Sequence, residues 1–279
     1  MILIADSGST KTDWCLTDRG RVVAQVATQG INPFYQTDEE IRRILLSELK
    51  SGIGVWENES LDAICYYGAG IRPEMRARMR RVLASALMAD KVEVENDLLG
   101  AARALFGHEE GIACILGTGS NSGLYDGHDI VANTPPLGFI LGDEGSGAVL
   151  GRLFLGALYK GLMPVGLKEE FEHSYSLSVA DVIQAVYRQP LPNRFLASFS
   201  PFIHDHLHVP EVRRLVVGNF RMFLERNLSQ YARRDLPVRV IGSIACHYEE
   251  MLREAADAEG FFLDAVSKSP MPGLVAYHS

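Results

Sequence analysis

Ile2-Leu3-Ile4-Ala5-Asp6-Ser7-Gly8-Ser9-Thr10-Lys11-Thr12-Asp13 opens the chain with an apolar run, a turn of small polar residues and a lysine; Trp14-Cys15-Leu16-Thr17 follows. The apolar run reads as a buried strand and Trp14 to Thr17 as a second one, so the unit is strand-turn-strand. A carboxylate at a strand end, Asp6, can hold a hydrated Mg²⁺. Gly8 and the hydroxyl residues let backbone N–H groups approach phosphate oxygens, and Lys11 adds a point charge. No G-x-x-x-x-G-K-[ST] occurs, so the turn is not a Walker A loop. Taken alone, the stretch also reads as an ordinary hairpin.

A second loop of the same design argues against that plainer reading. Gly117-Thr118-Gly119-Ser120-Asn121 follows Ile112-Ala113-Cys114-Ile115-Leu116 and precedes Gly123-Leu124-Tyr125. Two such hairpins predict an internally duplicated α/β protein in which each half offers one loop to a nucleotide between them. The predicted elements of the first half run βββαβαβα. Strands are expected over 22–27, 62–67 and 92–94, and helices over 38–50, 76–88 and 97–106. Beyond the second hairpin the periodicity predicts a helix from near Asp143 and another over 212–231, striped by Val212, Val216, Phe220 and Phe223. A strand over 237–241, a helix over 243–258 and a last strand over 261–263 complete the pattern. The domain boundary is expected near residue 107, giving domains 1–107 and 108–279, with 272–277 able to pack back on the first.

The chain has 279 residues, 47% of them hydrophobic and 22% charged, enough for buried cores and contrary to a disordered chain. A net charge of −8 argues against a nucleic-acid partner. The arginines at 72, 76, 78, 80 and 81 alternate with apolar residues at helical spacing and read as a solvated outer face. Neither a cleavable leader nor a long apolar segment is evident, so a cytoplasmic location away from membranes is expected. Cys15, Cys65, Cys114 and Cys246 stand apart without C-x-x-C spacing and read as reduced thiols.

Three further segments place polar groups where open α/β sheets bind ligands. Asn96-Asp97 lies between a strand and a helix, where either residue would also serve as an N-cap. Gly142-Asp143-Glu144-Gly145-Ser146-Gly147 opens another helix. Gly242-Ser243-Ile244-Ala245 follows the Val238-Arg239-Val240-Ile241 strand and could set a nucleotide against a helix start.

This ordered set, spanning nearly the whole chain, resembles the N-acetylglucosamine kinase-like, BadF/BadG/BcrA/BcrD-type ATPase family, within the superfamily of sugar kinases, Hsp70 and actin. The resemblance implies an α/β fold of two ribonuclease H-like domains with a nucleotide cleft between them, ATP and Mg²⁺ as cofactors, and a small sugar as substrate. It is compatible with a homodimer. It implies that Asp6 holds Mg²⁺ through water, and that Gly8, Ser9, Thr10, Lys11, Gly117, Thr118, Gly119, Gly242 and Ser243 contact the nucleotide. Asn32, Ser120, Asn121, Gly138 and Asp143 correspond to sugar contacts, and Asp97 to the general base. Family members commonly carry Gly-Trp-Gly where this chain has Pro136-Leu137-Gly138, which removes an aromatic wall and leaves the identity of the sugar open.

Two other functions compete. An ATPase that activates a 2-hydroxyacyl-CoA dehydratase-type enzyme would need cysteines gathered at an iron–sulfur cluster. A non-catalytic sugar or nucleotide sensor would not need Asp6, Lys11 and Asp97 together. His204-Asp205-His206-Leu207-His208 would line up three imidazoles if extended; its neighbouring prolines and helices favour a surface connector instead.

Overall fold

The computed structural model describes residues 1–8, 11–54 and 61–279. Among the described residues there are ten strands: β1 (Ile2–Ser7), β2 (Lys11–Asp18), β3 (Arg21–Gln29), β4 (Leu61–Gly68), β5 (Ala89–Asn96), β6 (Gly111–Leu116), β7 (Ser120–Tyr125), β8 (Ile130–Ala132), β9 (Val238–Ile241) and β10 (Leu263–Ser267). They form two five-stranded sheets with orders β3-β2-β1-β4-β5 and β10-β9-β6-β7-β8. In the first, β1 pairs antiparallel with β2 and parallel with β4, which pairs parallel with β5. In the second, β6 pairs antiparallel with β7 and parallel with β9, which pairs parallel with β10. The same arrangement therefore occurs twice, each time with the first strand of the hairpin at the centre of its sheet. That is the α/β architecture of two ribonuclease H-like units.

The chain divides into two compact units. One comprises Met1–Glu109, Gly127–Ile130 and Ser269–Ser279; the other comprises Glu110–Asp126 and Val131–Lys268. In the first unit, strand alternation sends side chains to two cores. Leu3, Ala5, Ile64 and Tyr66 join Ile41, Ile44, Leu45, Leu49, Met79 and Leu83 on one face. Ile4, Cys15, Cys65 and Tyr67 meet Met271 and Leu274 on the other. The C-terminal helix Met271–Tyr277 lies on the helix Asp97–Phe106 so closely that a Cβ on Gly273 would fall 2.1 Å from the Ala104 carbonyl oxygen. The second unit is built on a single core, in which Ile112, Cys114, Leu116, Val238 and Val240 pack with the phenylalanines 154, 171, 199, 202, 220 and 223.

Several element boundaries differ from the sequence reading. The 38–50 segment is helical but passes through a π-helical stretch at Leu45–Leu49, which keeps Ile41, Ile44, Leu45 and Leu49 all buried. The helix expected from Asp143 begins at Gly147, capped by Ser146, because Asp143 and Gly145 adopt left-handed backbone (φ 52° and 79°). The 212–231 helix is Pro210–Arg226 followed by a 3₁₀ turn, and the 243–258 helix is interrupted at Tyr248. The last strand is Leu263–Ser267 rather than 261–263.

The arginine face also differs. Arg78 donates to Asp38 (2.6 Å) and to the carbonyls of Pro33 (2.6 Å) and Gln36 (2.7 Å). Arg76 pairs with Glu95 at 2.6 Å and Arg72 lies over Phe34. Arg76 and Arg78 thus tie elements together, whereas Arg72, Arg80 and Arg81 are exposed, as expected of a solvated face.

Candidate functional site

At the carboxyl edge of the first sheet three strands end in register: Ser7 of β1 lies beside Gly68 of β4, which lies beside Asn96 of β5. Asn96 caps the next helix, accepting from Leu99 N at 2.8 Å. That frees Asp97, the first helical residue, from capping; its carboxylate accepts from Leu98 N at 2.9 Å. Burial pushes the Asp97 carboxyl upward against the pull of the Leu98 amide and its own. Asp6, one residue inside the same edge, is pushed up to about 7, first by burial and then by the charges of Asp97 and Asp13, with Lys11 opposing. A partly dehydrated carboxylate raised further by the charges of two neighbouring carboxylates suits a hard cation held by oxygen ligands. The donor set at Asp6 therefore fits Mg²⁺.

The turn after β1 closes through Gly8 N donating to the Lys11 carbonyl at 3.0 Å, and Lys11 Nζ rests on Asp13 at 2.9 Å. Ser9 and Thr10 lie outside the described residues. Behind the turn, buried Ser7 bonds Thr12 Oγ1 (2.7 Å) and donates to the Ile31 carbonyl (3.0 Å), to which Tyr66 also donates (3.1 Å). These bonds fasten the segment carrying Asn32 to the sheet. Asn32 Oδ1 accepts from Phe34 N (3.0 Å), and Gly70, at φ 77°, lies so near that a Cβ there would come within 2.7 Å of the same oxygen. Thus Asp6, Lys11, Asn32 and Asp97 belong to one unit and one edge of its sheet.

In the second unit, Gly117 N donates to the Gly119 carbonyl at 2.9 Å, and the 147–159 helix docks on the turn through Gly147 N to Gly117 O (2.9 Å) and Ala148 N to Thr118 O (3.1 Å). Thr118 is exposed and Ser120 buried. Asp143 faces this turn: a Cβ on Gly119 would meet its Oδ2 at 3.1 Å. Burial raises the Asp143 carboxyl to about 6, the backbone amides of Ser120 and Gly138 lower it, and neighbouring Glu144 raises it. Asn121 Oδ1 is occupied by Ser122 N and Asn133 Nδ2, both at 2.9 Å, so its amide N–H₂ is the end left for a ligand. Gly242, at φ 135°, sits against the Leu116 carbonyl, where a Cβ would fall 2.1 Å away, and its N–H bonds Ser267 O at 2.9 Å. Gly242 and Ser243 thereby start a helix beside the Gly117 turn at one edge of the second sheet.

Residues that the sequence reading passed over hold the 138–147 segment in place. Arg152 Nη1 donates to the carbonyls of Phe139 (2.6 Å) and Ile140 (2.9 Å). Fully buried Asn219 accepts from Gly145 N (3.0 Å) and donates to Ser146 O (3.3 Å). Arg226 neutralises buried Glu144 at 2.9 Å. Asn219 had a signal: it is a polar residue inside the apolar stripe of its helix. Leu137, in the Pro136-Leu137-Gly138 triplet that replaces the family's Gly-Trp-Gly, has φ 61° and leads into the short helix Gly138–Leu141; Leu137, Ile140 and Leu141 are exposed.

Cys15, Cys65 and Cys114 are buried and Cys246 partly so; among the described residues no group of His, Cys, Asp or Glu is arranged to hold a metal ion unaided by other ligands. The histidine run is not extended. Ser200–Asp205 is helical and His206 is buried, bonding the Phe202 carbonyl at 2.7 Å and Glu170 at 3.1 Å, so it is a structural side chain and not part of a surface connector. Among the described residues no helix is long and apolar enough to cross a membrane.

No family model matches the chain. The crystal structure of a "putative N-acetylglucosamine kinase" from Porphyromonas gingivalis is 54% identical, superposes with a TM-score of 0.97, and is covered over 98% of its length by 100% of this chain. The chain belongs to the N-acetylglucosamine kinase-like family. An N-acetylmuramic acid/N-acetylglucosamine kinase of Clostridium acetobutylicum is 28% identical over 209 residues, which is 72% of this chain and 68% of that protein. A second "putative N-acetylglucosamine kinase", from Chromobacterium violaceum, is 19% identical and shares the fold of this family member with a TM-score of 0.78 over 100% of this chain and 98% of its own.

Proposed function

We propose that the protein transfers the γ-phosphoryl group of ATP to a hydroxyl of an amino sugar, N-acetylglucosamine or a close relative. The observation that carries this reading is the placement of Asp97. A half-buried, partly dehydrated carboxylate, relieved of capping by Asn96, shares a sheet edge with Asp6, Lys11 and Asn32. The 54% identical relative's name supports the amino-sugar acceptor, and the curated relative's name keeps a muramyl sugar within the class.

In this reading Asp97 accepts a hydrogen bond from the acceptor hydroxyl, aligns it with the phosphorus, and takes its proton as the new P–O bond forms. Such a base contributes ~10²- to 10⁴-fold. Asn32, Ser120, Asn121 and Asp143 orient the sugar, as does the backbone at Gly138. Gly8, Gly117 and Gly119 let the phosphates approach the two turns closely, and Lys11 and Thr118 stabilise the oxygens that gain charge in a loose transition state. Gly242 and Ser243 form the start of the helix that the nucleotide lies against. Mg²⁺ at Asp6 would neutralise phosphate charge. The test is ADP release from Mg-ATP against a panel of hexoses, N-acetylhexosamines, amino sugars and muramyl sugars. Stimulation by one amino sugar, with a phosphorylated product in the mass spectrum, supports the reading; turnover indifferent to every sugar refutes it.

A further inference from the structure

In the second unit the helices Gly147–Tyr159 and Pro210–Arg226 leave between them an open, solvent-facing cavity of about 610 Å³. Arg152, Gly156 and Lys160 line it at i, i+4 and i+8 and so share one helical face. A Cβ built on Gly156, or on Gly218 across the cavity, meets no heavy atom within 4 Å. These glycines keep space open; neither is needed for close contact. Leu215 and Met222 add an apolar wall, and no lining residue is acidic.

The chain carries 35 acidic against 27 basic residues, and Arg76, Arg78, Arg213, Arg221, Arg226 and Arg253 all hold carboxylates. Among the described residues, Arg152 and Lys160 hold none. Arg152 spends Nη1 on the Phe139 and Ile140 carbonyls, which leaves its Nε–Nη2 edge for a bidentate anion. Asn219, also in the lining, is the residue that grips Gly145 and Ser146.

We propose that this cavity is a second ligand site. It takes a small phosphomonoester, with the phosphoryl group between Arg152 and Lys160 and the body of the ligand against the apolar wall. Its volume falls within the ~300–1,000 Å³ of small-molecule sites. Occupation is transmitted to the 138–147 segment through Arg152 and Asn219; this coupling, unlike the binding itself, rests on the proposed role of that segment in holding the acceptor.

Binding of inorganic phosphate and of N-acetylglucosamine 6-phosphate to the full chain, measured by calorimetry without ATP or sugar, tests the site. Gly156→Leu fills the cavity, Lys160→Glu reverses its charge, and Asp143→Asn reports binding at the acceptor segment instead. Wild type and Asp143→Asn are expected to bind alike, and the first two variants at least about tenfold more weakly. A sugar phosphate that binds more tightly than phosphate identifies an organic ligand; equal affinities identify the free anion as the ligand and remove the role given to the apolar wall. Wild-type affinity in both cavity variants, no binding at about 10 mM, or loss confined to Asp143→Asn overturns the site. Where a sugar is turned over, the ligand should shift its KM at least about threefold in wild type and not in Gly156→Leu, and an unmoved KM overturns the coupling. A wild type that phosphorylates no sugar refutes the proposed function and leaves the binding result standing.

Discussion

Replacing Asp6 by Asn should stabilise the metal-free protein while abolishing its activity. Burial and the charges of Asp97 and Asp13 raise the Asp6 carboxyl from 3.8 to about 7. A raised carboxyl holds its proton more tightly folded than unfolded. Below pH 4 it is neutral in both states and costs nothing. Between pH 4 and 7 only the unfolded chain loses the proton, so stability falls as pH rises; above pH 7 the charge is buried in full. At ~1.36 kcal/mol per pH unit the ceiling of that penalty is ~4 kcal/mol. Relaxation and water at the open side of the site reduce it to ~2 kcal/mol. Asn is nearly isosteric and carries no charge, so at pH 8 in EDTA the variant should melt ~4–8 °C higher by scanning calorimetry. At pH 5 most of that gain should vanish. Added Mg²⁺ should stabilise wild type at pH 8 and leave the variant unmoved. A variant that melts with wild type at both pH values, or gains equally at both, refutes the claim that an ionised, buried Asp6 is held at the expense of stability.

Asp97→Asn keeps the shape and the Leu98 hydrogen bond but cannot take a proton, so kcat should fall by ~10² or more with nucleotide affinity nearly unchanged; an equally active variant removes Asp97 from the mechanism. If Asp143, raised to about 6, contacts the sugar as proposed, it accepts more strongly when ionised, so the sugar KM should rise as pH falls below 6, by up to ~10-fold per pH unit. Asp143→Asn should flatten that profile, and a wild-type KM flat to pH 5 would count against the sugar contact. Asn219→Ala strips partners from the buried Gly145 N–H and Ser146 C=O and should cost ~2–4 kcal/mol, seen as a lower denaturant midpoint at unchanged m-value. Gly273→Val drives side-chain atoms into the Ala104 carbonyl and should expose the C-terminal helix to limited proteolysis; protection equal to wild type would deny that close approach its importance.

The duplicated hairpin was legible because a strand buried on both faces must be continuously apolar, and a phosphate-type turn needs residues without bulk. Ile2 to Ala5 and Ile112 to Leu116 meet the first condition, and 6–8 and 117–119 the second. Each of these strands then became the centre of its sheet, as the two matching strand orders record. The Asp97–Phe106 helix was equally plain, since Asn96 and Gly107 punctuate it at both ends. The helix start at Gly147 was not, because nothing in Gly142-Asp143-Glu144-Gly145 states that the Asp143 and Gly145 backbones turn left-handed. That conformation is imposed from a distance, by Asn219 on the Gly145 amide and by Arg226 on Glu144.

What escaped the sequence therefore has a common physical origin. Arg78 reaches 45 residues back to the Pro33 carbonyl, and Asn219 reaches 74 residues back to Gly145. Both act on backbone groups, which carry no residue identity, so neither partner leaves a pairing pattern in the chain. The candidate chemical groups were recognisable as types at strand ends, yet their exact setting belongs to these distant supports. Exposed Leu137 stands in the Pro136-Leu137-Gly138 triplet by which this chain departs from the Gly-Trp-Gly pattern, and the carbonyls that follow it, at Phe139 and Ile140, are held by Arg152.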